Sequence, residues 1–160
     1  MTLALHVDYW DRLGWKDEFS SPLFTQRQAF YVQKLKLASA YTPQMVVDGR
    51  TEFTGSDTGK AARAIAEAAK IQKGKVEIVE ADGKIKIKIS DLPEHEDASI
   101  FLAIAEDNLA SNVARGENAG KRLEHQSVVR ELKSVGTLGG RAKSAESETV
   151  LPLQPVWKQP

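Results

Sequence analysis

The chain has 160 residues, with 22 basic and 22 acidic side chains, three histidines and no cysteine. A net charge of zero removes any general electrostatic attraction to nucleic acid or to an anionic membrane surface, and no apolar run approaches the roughly 20 residues of a spanning helix. The missing cysteine excludes disulfides, thiolate catalysis, cysteine-based zinc sites and cysteine-ligated clusters from these residues, while a hydrophobic share of 41% suffices for a packed core.

The first element expected is a β-strand over residues 2–10. Leu3, Leu5, Val7 and Tyr9 share one face by the two-residue period, and Ala4, His6, Asp8 and Trp10 share the other. It starts without a basic n-region or a small-residue cleavage site, so no signal peptide is expected. Asp11 to Ser21 reads as a polar loop. Ser21-Pro22 matches an N-cap followed by proline at the first helical position, opening a helix over Leu23–Leu37. In that helix Leu23, Phe30 and Leu37 repeat at seven, with Phe24, Tyr31 and Leu35 beside them. Thr42-Pro43 precedes a short strand ending at Asp48-Gly49, a strong hairpin turn signal, and Thr51–Thr54 is the return strand. Gly55-Ser56-Asp57 opens a second helix with the stripe Ala61, Ala64, Ile65, Ala68 and Ile71, and Gly74 stands where a C-terminal cap is expected.

From Gly74 onward the chain turns to β patterning. Residues 75–81 and 84–90 flank Asp82-Gly83, and a two-residue loop there sets Val76 opposite Ile89, Ile78 opposite Ile87 and Glu77 opposite Lys88. The Ile-Lys alternation of residues 84–89 predicts one wet face. Residues 99–106 predict a more buried strand, Ser111–Arg115 another, and Glu124–Leu138 further strand material. Residues 139–149 read as an exposed loop, and Val150–Trp157, with Pro152 and Pro155, as an edge strand. The expected organisation is therefore α/β over residues 1–74 and antiparallel, sandwich-like β over residues 75–160.

The order at Thr42-Pro43 (strand, turn, strand, helix) resembles the second half of a thioredoxin fold. Longer strings are more specific: His6-Val7-Asp8-Tyr9-Trp10-Asp11, Gly14-Trp15-Lys16-Asp17, Phe24-Thr25-Gln26-Arg27-Gln28, Tyr41-Thr42-Pro43-Gln44, Val47-Asp48-Gly49, Arg115-Gly116-Glu117-Asn118 and Val128-Val129-Arg130. These are similar to a thioredoxin-like bacterial family of secreted or periplasmic proteins known as domain of unknown function 1223. The resemblance implies a partial thioredoxin-like fold, lacking the first strand, the Cys-x-x-Cys motif and the first helix, followed by the β module. It implies an amino-truncated member of a thiol–disulfide lineage. As written the chain is expected to be redox-inactive, so whether it is an enzyme stays open. The family location would be periplasmic or secreted; without a signal peptide the chain as written would be cytoplasmic.

The resemblance also places Trp10, Asp11, Tyr41, Thr42 and Pro43 on the rim that would carry the cysteines, with Thr42-Pro43 as a cis bond. These five are the expected substrate-binding residues, for an extended peptide or a protein thiol substrate. An aromatic can bind an extended peptide, and a carboxylate beside a cysteine pair can move protons. Without a thiol no residue is expected to be catalytic, and the alternative is a non-catalytic peptide or protein binding module.

Three other patterns carry less. His6 and Asp8, two apart on one strand face, suggest a dyad or half a metal site, but no third ligand has recognisable spacing, so no metal is expected. His95 sits in an acidic connector, and His125 on a strand without a companion. Gly116–Arg122 has only three residues between its glycines and Arg122 in place of Ser/Thr, so it is not a phosphate loop, and no Gly-x-Ser-x-Gly elbow occurs. No cofactor is expected, and nothing in the sequence sets an oligomeric state.

Overall fold

A computed structural model describes residues 1–150 and Trp157. Among them the fold is mixed α/β, with helices α1 (Pro22–Lys34) and α2 (Thr58–Ala69). Its strands are β1 (Gln44–Val47), β2 (Thr51–Thr54), β3 (Lys75–Ala81), β4 (Lys84–Ser90), β5 (Ala98–Glu106), β6 (Leu109–Asn112), β7 (Arg122–His125), β8 (Val128–Leu138) and β9 (Ala145–Val150). The chain forms two compact units. One holds residues 1–6, 10–19 and 73–160; the other holds residues 7–9 and 20–72. The division near residue 73 lies beside the expected boundary at 74, but residues 1–6 and 10–19 join the β-rich unit.

The unit of residues 7–9 and 20–72 contains both helices and one hairpin. Ser21 caps α1 by accepting from the Leu23 N–H at 3.2 Å, with Pro22 at the first helical position. The helix ends at Lys34, three residues earlier than the repeat predicts, and Lys36 adopts a positive φ of 56°. Its buried side chain is Phe24, at 4% exposure, whereas Leu23 and Phe30 are exposed. The seven-residue repeat misplaced the buried face because a 13-residue helix offers less than two repeats to set its phase. β1 and β2 pair antiparallel from Gln44–Thr54 to Val47–Thr51, around Asp48 and Gly49, both at positive φ. Asp57 caps α2 by accepting from the Lys60 N–H at 2.8 Å. Ala61, Ala64 and Ala68 are half-buried, while Ile65 and Ile71 are exposed.

The β-rich unit holds the main core. β4 pairs with β3 in the expected register, Val76 to Ile89, Glu77 to Lys88 and Ile78 to Ile87, through a turn with both Asp82 and Gly83 at positive φ. On its other side β4 pairs with β9. Ile85, Ile87 and Ile89 of β4 pack with Ile100, Leu102 and Ile104 of β5 and Leu138 of β8. The sheet β3-β4-β9 thus contributes one layer of this core and the pair β5-β8 the other. The Lys side chains of β4 stay exposed, as the alternation requires.

Several expectations are corrected. Residues 2–10 form no continuous strand, only isolated bridges at Ala4 and His6; Ala4 bridges Val128 in parallel, donating to the Ser127 carbonyl at 2.8 Å and accepting from the Val129 N–H at 2.9 Å. Farther along, the Asp8 N–H goes to the Thr25 hydroxyl instead of a ladder, and Asp11–Leu13 turns as a 3-10 helix. Gly74 does not cap α2, which ends at Ala69. Its smallness serves a close approach instead, because a Cβ there would lie 2.8 Å from Leu92 Cδ2 and 3.1 Å from the Ser90 carbonyl oxygen. The strand expected at Ser111–Arg115 is β6, Leu109–Asn112. The expected loop at 139–149 contains β9, whose outward Glu146 and Glu148 stand opposite Lys88 and Lys86 of β4. Polar strand residues gave no hydrophobic alternation to read; the partner strand supplies the order. The edge strand expected over Val150–Trp157 lies, between those two residues, outside the described ones.

Candidate functional site

Of the five expected rim residues, Tyr41, Thr42 and Pro43 belong to the helical unit, and Trp10 and Asp11 to the β-rich unit. The Tyr41–Pro43 segment is fixed by a chain of polar contacts. The Gln28 amide donates to the Tyr41 carbonyl at 2.7 Å and to Gln44 Oε1 at 3.1 Å, while its own oxygen accepts from the Tyr9 hydroxyl at 3.0 Å. The Gln44 amide donates to Glu52 Oε2 at 3.0 Å, and the Tyr41 hydroxyl donates to the same oxygen. The Pro43 carbonyl accepts from the Gly55 N–H at 2.8 Å. The Thr42–Pro43 bond is cis. Burial and the Glu52 carboxylate raise the Tyr41 phenol above its ordinary value, so it stays neutral and donating. Thr42 and Pro43 themselves are exposed. The segment is thus braced from α1, β1 and β2 while its middle faces solvent.

Trp10 is 47% exposed. Asp11 begins the 3-10 turn, and its Oδ1 accepts from the Asp17 N–H at 3.2 Å, closing the loop that follows. That contact gives Asp11 a structural task.

The histidines are arranged otherwise than their spacing suggests. Asp8 accepts from the Thr25 hydroxyl at 2.5 Å and belongs to the helical unit. His6 instead pairs with Asp17, Nδ1 to Oδ2 at 2.6 Å. His125 has companions after all: its ring lies 5.1 Å from that of His6 and 5.3 Å from that of Phe19, and its Nε2 is 3.0 Å from Ser111 Oγ. Phe19 is covered by the Arg130 guanidinium at 4.9 Å, and Arg130 lies 3.3 Å from the buried Glu106 carboxylate. Burial raises the Asp17 carboxyl, but His6 and the Phe19 N–H outweigh it and hold the group below its ordinary value. Burial and the neighbouring His6 push His125 down. Ser111 is 1% exposed, which denies a substrate access to its hydroxyl. Among the described residues no three or more His, Cys, Asp or Glu side chains are grouped to hold a metal ion. His95 sits between two carbonyls, with Nδ1 at 2.6 Å from Glu96 O and Nε2 at 3.0 Å from Ala142 O, and these raise it. No local spacing announces Asp17, Phe19, Ser111 or Arg130 as members of one cluster, because tertiary folding brings them together.

The family model described as "Protein of unknown function (DUF1223)" matches residues 1–160, and the chain belongs to that family. It is similar to the X-ray crystal structure of protein AGR_C_4864 from Agrobacterium tumefaciens, with 25% sequence identity and a TM-score of 0.75. The match covers 92% of this chain and 63% of that one, so the chain spans less than two thirds of that protein's length. No curated protein matches. Among the described residues no helix is long and apolar enough to cross a membrane.

Proposed function

We propose that the chain is a thioredoxin-like peptide-binding module of an extracytoplasmic thiol–disulfide lineage, and that its 160 residues bind without exchanging disulfides. The observation that carries this reading is the braced yet exposed Tyr41–Pro43 segment, fixed by Gln28, Gln44, Glu52 and Gly55. A segment held in one conformation before binding loses less entropy on taking a partner, and an extended peptide is the partner its backbone suits. With no cysteine in the chain, the thiolate that disulfide exchange requires is missing.

The test is an NMR titration of the full chain with reduced, alkylated insulin B chain as an extended peptide. Shifts centred on Tyr41–Gln44, lost in Thr42→Arg, are expected. Shifts elsewhere, or identical binding by Thr42→Arg, would refute the site. In parallel, the chain should not accelerate insulin reduction by dithiothreitol.

A further inference from the structure

The cluster around His6 and His125 takes no part in the proposed peptide site. It joins residues distant in sequence within the β-rich unit: His6 from the opening segment, Asp17 and Phe19 from the loop, Ser111 from β6, His125 from β7 and Arg130 from β8. The opening segment's backbone meets β8 at the bridge between Ala4 and Val128. The side chains of the cluster add to that bridge in fastening residues 1–6 and 10–19. Phe19, Leu109 and Val128 form a small apolar cluster beneath them.

We infer that this cluster is an acid-sensitive latch, which holds the opening segment against β6, β7 and β8 while His125 is neutral and releases it when His125 is protonated. The geometry sets the direction. His6 already has a carboxylate partner, its Nδ1 lying 2.6 Å from Asp17 Oδ2. His125 faces the His6 ring and Phe19, and its Nε2 meets the hydroxyl of a buried serine. An imidazolium at His125 is desolvated, and the neighbouring His6 opposes it. The charges acting on the pair are Asp17 and Glu18, which favour protonation of His125, and His6, which opposes it. On the β8 side Arg130, stacked on Phe19, is matched by the Glu106 carboxylate at 3.3 Å. The folded chain thus binds a proton at His125 less readily than the released one, and acid favours release. Release bares Phe19 and Val128, which are 7% and 0% exposed in the latched state.

Amide exchange of the full chain reads this directly. Between about pH 7.5 and about pH 5.5, the protection factors of Ala4 and Val129, which report the bridge, should fall several-fold, while that of Ile87 in β4 holds. His125→Phe keeps a ring in place without a charge and should abolish the change. Unaltered protection of Ala4 in the wild type, or an equal loss in His125→Phe, would overturn the latch. Should that variant fail to fold, the wild-type imidazole resonances decide: His125 must titrate together with the loss of Ala4 protection, and titration without that loss refutes the proposal.

Discussion

Individual contacts at residue scale carry consequences that their neighbours in sequence do not reveal. Ser21 accepts one of the open N–H groups of α1, so Ser21→Ala should cost about 1 kcal/mol, measured by urea unfolding. Arg130 is the cation beside the buried Glu106 carboxylate and covers Phe19. Arg130→Ala leaves that carboxylate without its cation and should cost about 3–5 kcal/mol. The raised Tyr41 phenol contributes stability below the ordinary tyrosine value of 10.0 that is lost as pH rises through its folded value. In an ultraviolet titration Tyr41 should ionise later than a free tyrosine, and Glu52→Gln should bring it back toward 10.0. The cap at Ser21 was legible because its chemistry lies within three residues of chain. The His6–Asp17 pair was not, since Asp8 is nearer in sequence and strand spacing favours it.

Elements show the same contrast over longer distances. The β3–β4 hairpin was readable to the residue, because turn, alternation and charge all favour one register. Its three buried isoleucines make β4 the centre of the core, so Ile87→Ala should cost about 2–5 kcal/mol, read as a shift of the denaturant midpoint. β9 was not readable. Its faces are polar on both sides, and Glu148 gains order from Lys84 at 2.9 Å and Lys86 at 3.9 Å. Glu148→Lys should weaken amide protection along Ala145–Val150 more than along β5, and added salt should narrow the gap, since these charges are exposed. The opening segment failed as a strand for the complementary reason. Its alternation is strand-like, but it makes only isolated bridges, at Ala4 and His6, among the described residues.

For the molecule as a whole, pH is the variable that gathers these local effects. Asp17, Asp57 and Glu148 all sit below their ordinary values of 3.8, 3.8 and 4.5, so each contributes stability above those values that is lost as pH falls through its folded value. His125 is lowered and loses stability on the way down from its ordinary 6.5; His95 is raised, and its contribution is kept in acid and lost as pH rises. Urea melts across a pH series should therefore show stability falling below about pH 4, with the His125 contribution lost at milder acidity.

Sequence by itself determined the composition limits, where the two helices begin, both hairpins with their turns, and membership of a family, since each rests on chemistry within a turn or two of chain or on strings of residues kept in order. Tertiary structure alone decided which isolated histidine meets which carboxylate, which polar segment becomes a strand, and where the opening residues attach. Those outcomes depend on partners brought from far along the chain, and a side chain's neighbours across a packed β ribbon leave no mark on its neighbours in sequence.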